Sequence, residues 1–410
     1  MIRTRLGSCT VWSCLLAFFA IGSQAAALPR QSETAHILAD TTADTANQND
    51  ADPITSVAIE NLSARSPDRT LAIAEHDLYH FSELQTVAEH GVCQTQEMPQ
   101  PVEVRIGYLK LANAQLVAKA MALHEKAMCV PIRWIGFETG GQVNAAIAAG
   151  KIDFGAMGGP PASIGVTHNL GYRGILLLNM LQGVEGLVVR PAMATPEGLA
   201  GKRIATPFGS TSHYLLNILL KQAGVSPDSV SLVDMTPDQA AAAWGAGHIH
   251  AAYVWEPALG RMVAQGGKIL VDNSEMADRG YPMWDISVVS DAFARAHPGL
   301  VTSYVRSECA AIDTWRTNPR VATAAVAQEL ALPPAEARRM MTGMGVIPCS
   351  QQTDPAYLGD GSKPGRLTRS IYDMAVFLRD NGRTQIVASP ADYEALIDTR
   401  YLMALNGSSH

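Results

Sequence analysis

The 410-residue chain has few aromatic residues, 6%, and a formal net charge of −7. Few aromatics leave little to stack on bases, and an acidic balance opposes a phosphate backbone, so nucleic acid is not an expected partner. No two cysteines stand at C-x-x-C spacing, which disfavours zinc-ribbon and thioredoxin chemistry. The chain contains no G-x-S-x-G elbow, no H-E-x-x-H, no G-x-x-x-x-G-K-[ST] and no G-x-G-x-x-G behind a strand. His124-Glu125 lacks the second histidine of a metalloprotease, and Gly359-Asp-Gly361 falls in a loop. Beyond the N-terminus no run is long and apolar enough to cross a bilayer, and no internal repeat is present. These absences disfavour a hydrolase, call for no metal and no cofactor, and leave ligand binding as the first hypothesis.

What is present begins with a signal. Residues 1–27 carry Arg3 and Arg5, an apolar run over 11–21, and small-residue cleavage sites at Ser23-Gln-Ala25 and Ala25-Ala-Ala27. This is the pattern of a secretory signal peptide. Cys14 lacks a lipobox, so no lipoprotein is expected. Four cysteines remain after cleavage: Cys93, Cys129, Cys309 and Cys349. Export permits disulfides. The pairs Cys93–Cys129 and Cys309–Cys349 are favoured among three possible connectivities.

The length suits two domains, and 47% hydrophobic residues can fill both cores. Residues 28–101 stand apart. The stretch 28–67 is rich in Thr, Ala, Asp, Asn and Ser and reads as a disordered linker. In 66–90 the residues Leu71, Ala74, Leu78, Phe81, Leu84 and Ala88 recur at helical spacing. From residue 102 strands and helices alternate. Strands are expected over 102–108, 130–137, 152–156, 175–180 and 185–190, with helices over 115–126, 141–149 and 162–168. A second unit has strands over 202–206, 230–234, 249–254 and 268–272. The strand 286–290 follows, then helices over 292–332 (punctuated by Pro298 and Pro319), 335–341, 367–380 and 391–405. The pattern predicts an α/β fold of two mostly parallel sheets, covered on both faces. Residues 102–188 and 290–405 would form one lobe and 189–289 the other. Two crossings make a hinge and a cleft, and ligands in such sheets sit beyond the carboxyl ends of the strands.

Four loops should meet in that cleft: 110–114 with Asn113, the Gly158-Gly159 turn, 208–212, and Trp255-Glu256-Pro257. Within Gly201-Lys-Arg-Ile-Ala-Thr-Pro-Phe-Gly-Ser-Thr-Ser-His-Tyr214 a strand and a turn lead into a helix, with Ser210, Thr211 and Ser212 at its start. Hydroxyls there cap free N–H groups, and the same N–H groups make an anion site. The plain alternative is that they cap the helix and nothing more. Gly158 and Gly159 open a second helix from the other lobe. Glu185 and Asp285 lie at the two crossings; facing the cleft, they would hold a cation such as an ammonium. The plain alternative for each is a surface carboxylate. For Trp255 and Trp284 it is ordinary packing.

Several segments, in order, carry a resemblance to a known family. They are Phe137-Glu-Thr-Gly-Gly141, Ala149-Gly-Lys-Ile-Asp-Phe-Gly155, Gly158-Gly-Pro-Pro-Ala162, Glu185-Gly-Leu-Val-Val189 and Leu199-Ala-Gly-Lys-Arg-Ile-Ala205. Pro207-Phe-Gly-Ser-Thr-Ser-His-Tyr214, Ala243-Trp-Gly-Ala-Gly247 and Ala252-Tyr-Val-Trp-Glu-Pro-Ala258 complete the set. From residue 102 to 405 the chain resembles the periplasmic substrate-binding proteins of ABC importers, in their taurine and aliphatic-sulfonate group. The resemblance implies a type II periplasmic-binding-protein fold and a monomer that hands taurine or a related sulfonate to a membrane permease. It implies that Glu185 and Asp285 hold the amine, and that the hydroxyls at 210–212 and the Gly158–Gly159 turn hold the sulfonate. Asn113 stands where the taurine branch looks acidic, and the four cysteines and the extension 28–100 depart from the usual pattern. Relatives of the fold that bind nitrate, a thiamin-precursor pyrimidine or an aromatic carboxylate or sulfonate supply the alternative, and the charge inside the cleft separates them.

Overall fold

The computed structural model describes residues 102–407. The expected signal peptide, the linker, the 66–90 helix and Cys93 lie outside the described residues. Those described all fall in one compact unit.

Strand β1 (Val104–Leu109) leads to helices Ala114–Ala120 and Leu123–Met128, β2 (Ile132–Phe137) to helix Gly140–Ala148, and β3 (Phe154–Gly158) to helix Gly159–Thr167. Strand β4 (Tyr172–Leu181) is followed by β5 (Glu185–Val189), β6 (Arg203–Thr206), helix Thr211–Gln222 and β7 (Ser231–Asp234). Helix Pro237–Gly245, β8 (Ala251–Trp255), helix Ala258–Ala264, β9 (Lys268–Asp272) and helix Asn273–Asp278 come next, then β10 (Met283–Ser290). Helices Pro298–Thr317, Pro319–Leu330 and Pro334–Thr342 each open on a proline, where its missing N–H would have had no partner. Strand β11 (Met344–Gly345) and helix Arg366–Asp380 follow. β3 and β5 are buried along their whole length, as strands covered on both faces must be.

The strands make two sheets, ordered β11-β4-β10-β3-β1-β2 and β7-β6-β8-β5-β9. Both are mixed, which corrects the expectation of parallel-rich sheets. β1 is parallel to β2 and β3, and β6 to β7 and β8. However, β10 is antiparallel to β3 and β4, and β5 to β8 and β9. The reason is topological. A strand that has just crossed between lobes starts at the cleft, where its neighbours end. Glu185 at the start of β5 therefore pairs with Trp255 at the end of β8, and Asp285 near the start of β10 pairs with Gly158 at the end of β3.

The crossings also fall earlier than expected. β5 belongs to the smaller sheet and β10 to the larger, so the chain passes between sheets at 182–184 and again at 273–282. The first crossing is tied down from outside. Gly343 O accepts from Gln182 N at 3.1 Å and from Val184 N at 3.3 Å. A Cβ on Gly343 would meet Val184 N at 2.5 Å, so only glycine lets the two backbones approach this closely.

Two expected helices are interrupted. Ala122 takes a left-handed conformation (φ 50°) and splits the 115–126 helix in two. In 391–405, Gly174 N donates to Leu396 O and Asp398 N donates to Gly174 O. Pairing with β4 thus pulls 396–398 out of helix and leaves helices Pro390–Glu394 and Arg400–Gly407 on either side.

Cys309 and Cys349, 40 positions apart in sequence, are bonded, as expected. The bond ties helix Pro298–Thr317 to the segment after β11. Cys129 is also disulfide-bonded. Removing the Cys309–Cys349 bond by a double Cys→Ala change should lower stability by about 4 kcal/mol, the loop-closure value for a loop of that size. Urea unfolding of the variant and the parent checks this; unchanged midpoints would show that the loop is held by its other contacts.

Candidate functional site

The two crossing strands bring two carboxylates into the cleft, one from each sheet. Glu185 is 1% exposed and Asp285 3%. Glu185 Oε1 accepts from Thr211 Oγ1 at 2.7 Å and from Ser212 Oγ, and Oε2 accepts from Asn273 Nδ2 at 3.0 Å. Asp285 Oδ2 accepts from Asn179 Nδ2 at 3.0 Å. All of these donors are neutral. Burial pushes the Glu185 carboxyl up to about 7; the Ser212, Thr211 and Asn273 hydrogen bonds oppose the rise and the Asp285 charge adds to it. Burial likewise pushes Asp285 up to about 6, against the pull of Asn179. His213, next to Ser212 in sequence, is held down to about 4 by burial and by Arg383, so it brings no positive charge at neutral pH.

The other expected residues divide. Thr211 meets Gly158 across the lobes: a Cβ on Gly158 would lie 2.7 Å from Thr211 Cγ2 and 3.3 Å from Asp285 Oδ1. Glycine at 158 is what allows the two lobes to touch here. Ser210 Oγ donates to Pro207 O at 2.6 Å and accepts from His213 N at 3.2 Å, so it is the helix cap. The hydroxyls of Thr211 and Ser212 are turned onto Glu185, and not outward as sulfonate donors. What the helix Thr211–Gln222 offers an anion is the unpaired backbone N–H of its first turn. The helix Gly159–Thr167 offers less than expected. Its second and third residues are Pro160 and Pro161, so Gly159 has the one N–H among its first three residues.

Asn113 is buried and caps helix Ala114–Ala120, accepting from Leu116 N at 3.2 Å, while its Nδ2 has no partner. Trp255 lines a cavity of about 210 Å³ with Tyr108, Lys110, Glu138, Asp238 and Arg261. That cavity includes neither Glu185 nor Asp285; the carboxylates themselves are packed shut. Glu256 lines that same cavity, and both of its carboxylate oxygens are engaged. Its Oε2 accepts from Gly260 N at 2.9 Å, and its Oε1 pairs with Arg339 Nη1 of the larger lobe at 2.5 Å. It bridges the lobes and does not face the carboxylate pair. Sequence reasoning missed Asn179, Asn273 and Arg339, whose partners lie far along the chain. The one local signal was a lone asparagine inside the apolar run 175–181.

The fold, two lobes whose crossing strands carry buried polar groups into a cleft, is of the periplasmic-binding-protein type. A family model described as NMT1/THI5 like matches residues 135–322. The chain is 31% identical to the taurine-binding periplasmic protein of Escherichia coli (strain K12) over 309 residues, covering 74% of this chain and 93% of that protein. The alkanesulfonate-binding protein of Xanthomonas axonopodis pv. citri, solved bound to MOPS, superposes with a TM-score of 0.61 at 22% identity, over 73% of this chain and 99% of that one. A desulfurization enzyme superposes with a TM-score of 0.53 at 18% identity, over 75% of this chain and 100% of its own. Both structures are alike in fold. The chain belongs to the NMT1/THI5-like family, in its taurine- and aliphatic-sulfonate-binding group.

Raised carboxylate pKa values set the sign of a pH dependence. Folded protein holds protons at about pH 6 and 7 that the unfolded chain, with ordinary carboxylates near ~4, has already released. This contribution to stability is complete below pH ~4 and is lost as pH rises through the folded values. Glu185→Gln removes one of the two shifts. The melting temperature of ligand-free Glu185→Gln, relative to the parent, should therefore rise between pH ~4.5 and ~7.5. A difference that stays flat across this range would show that Glu185 keeps an ordinary pKa.

Proposed function

We propose that the protein is an extracytoplasmic solute-binding protein that captures taurine or a close amino-sulfonate between its lobes and delivers it to the permease of an ABC importer. The observation that carries this reading is the Glu185–Asp285 pair. Two carboxylates buried with neutral partners call for a positive charge between them. The helix start at Thr211 and Ser212 supplies the complementary anion site within the same group of residues. A short zwitterion with an ammonium at one end and a sulfonate at the other satisfies both. The likeness to the taurine-binding protein supports the same choice. Nitrate or a plain sulfonate would leave the carboxylates without a counter-charge, so those alternatives are not favoured.

Capture and closure suffice for this role, and no catalytic step is required of it. Residues 1–27, read as a signal peptide, would bring the chain to the periplasm. Among the described residues no helix is long and apolar enough to cross a membrane. We take it to act as a monomer, since the lobes of one chain supply every group the reading uses.

Two substitutions test the reading by calorimetric titration with taurine and with ethanesulfonate, which has the same sulfonate and no amine. Asp285→Asn should weaken taurine by roughly 30- to several-thousand-fold, the effect of removing one partner of a desolvated charge pair. Ethanesulfonate should be little changed or gain. Equal losses for both would sink the amine assignment. Gly158→Ala should weaken both ligands alike, by roughly 5- to 150-fold, because its methyl group meets Thr211 and holds the lobes apart. If both ligands bind Gly158→Ala as tightly as the parent, closure at this contact is not part of binding.

A further inference from the structure

Asn179 lies in the same row as the carboxylate site. Gly158, Asp285 and Asn179 are register partners across β3, β10 and β4, at the cleft end of the larger sheet. Asn179 is fully buried, and its Nδ2 donates to Asp285 Oδ2 at 3.0 Å. A carboxylate has no proton to give, so this bond fixes the amide: nitrogen toward Asp285, oxygen away. That oxygen, Oδ1, is buried and has no hydrogen-bond partner. A buried acceptor left without a donor is destabilising, and a native site that retains one calls for an explanation.

The chemistry of the proposed ligand supplies that explanation. A primary ammonium has three N–H donors and no acceptor. Glu185 and Asp285 can take two of them. The carboxylates also accept from Thr211, Ser212, Asn273 and Asn179, and a third N–H directed away from both of them needs a neighbouring acceptor. Asn179 Oδ1 is one amide away from Asp285 and is unpaired.

We propose that Asn179 Oδ1 is the third acceptor of the ammonium site, and that with Glu185 and Asp285 it makes the cleft selective for a primary amine. The inference rests on the amino-sulfonate reading and narrows it. An N,N-dimethylated amine has one N–H. It would leave two of the three acceptors buried and unpaired, which is how polar sites reject analogues that lack a donor. Asn179 thus acts twice: its nitrogen positions Asp285, and its oxygen meets the ligand.

The test titrates the parent, Asn179→Ala and Asn179→Ser with taurine, N,N-dimethyltaurine and ethanesulfonate. Serine can still donate its proton to Asp285, but its one oxygen stands nearer the backbone than Oδ1. The parent should prefer taurine to N,N-dimethyltaurine by at least about 100-fold. Both variants should lose about 10- to 150-fold for taurine. They should lose much less for the dimethyl compound, so the preference shrinks at least about 10-fold, and ethanesulfonate should hold steady. Retained ethanesulfonate binding also shows that each variant is folded. If taurine and N,N-dimethyltaurine weaken by the same factor, Asn179 only positions Asp285 and the inference is overturned, while the amino-sulfonate reading stands. If the parent binds ethanesulfonate as tightly as taurine, that reading fails and the inference fails with it. Should alanine not fold, serine alone decides.

Discussion

Two negative charges held out of water are the constraint around which this cleft is built. Burying an ionised carboxylate is costly unless it is hydrogen-bonded and paired. Each carboxylate here is given neutral donors: Thr211, Ser212 and Asn273 for Glu185, and Asn179 for Asp285. Neutral donors lower the penalty without cancelling the charge. The arrangement is therefore satisfied in two ways, by taking up a proton or by enclosing a cation, and the raised pKa values reflect the first. Thr211, Ser212 and Asn273 are drawn from a helix start and a helix first residue, positions where short polar side chains are at home. The charge pair is thus supported by ordinary local structure and needs no strained backbone.

Much of the architecture was legible in the sequence because it depends on local pattern. Alternating strands and helices, prolines at helix starts and the polar turns at strand ends all leave short-range signals. Strand direction does not. That β5 and β10 run against their neighbours follows from where the chain crosses, and a crossing has no composition of its own. The two broken helices have the same origin. Ala122 has no glycine or proline to announce it, and Leu396 and Asp398 leave helix because Gly174, far away in sequence, pairs with them.

The site was legible where a polar residue stood at a strand end and obscure where it stood within a strand or was claimed by a distant partner. Glu185 and Asp285 were visible as carboxylates at the crossings. Glu256 looked the same from the sequence, yet Arg339 takes it. Asn179 stands inside an apolar run, and its partner Asp285 lies far along the chain. The hydroxyls of Thr211 and Ser212 resemble ligand groups in the sequence, but their nearer task is to hold a carboxylate. Pro160 and Pro161 show a subtler limit: both were in plain view, but their effect emerges only when the N–H groups of one helix turn are counted.

The carbonyl of Gly343 carries a mechanical consequence. By accepting from both Gln182 and Val184 it makes the first crossing a stiff post, whereas the second crossing runs through a short helix and a stretch of loop before β10 begins. The two passages are thus held by different means: the first by backbone bonds to a third stretch of chain, the second by the buried Asn273 side chain, which donates to Glu185 and accepts from Tyr253.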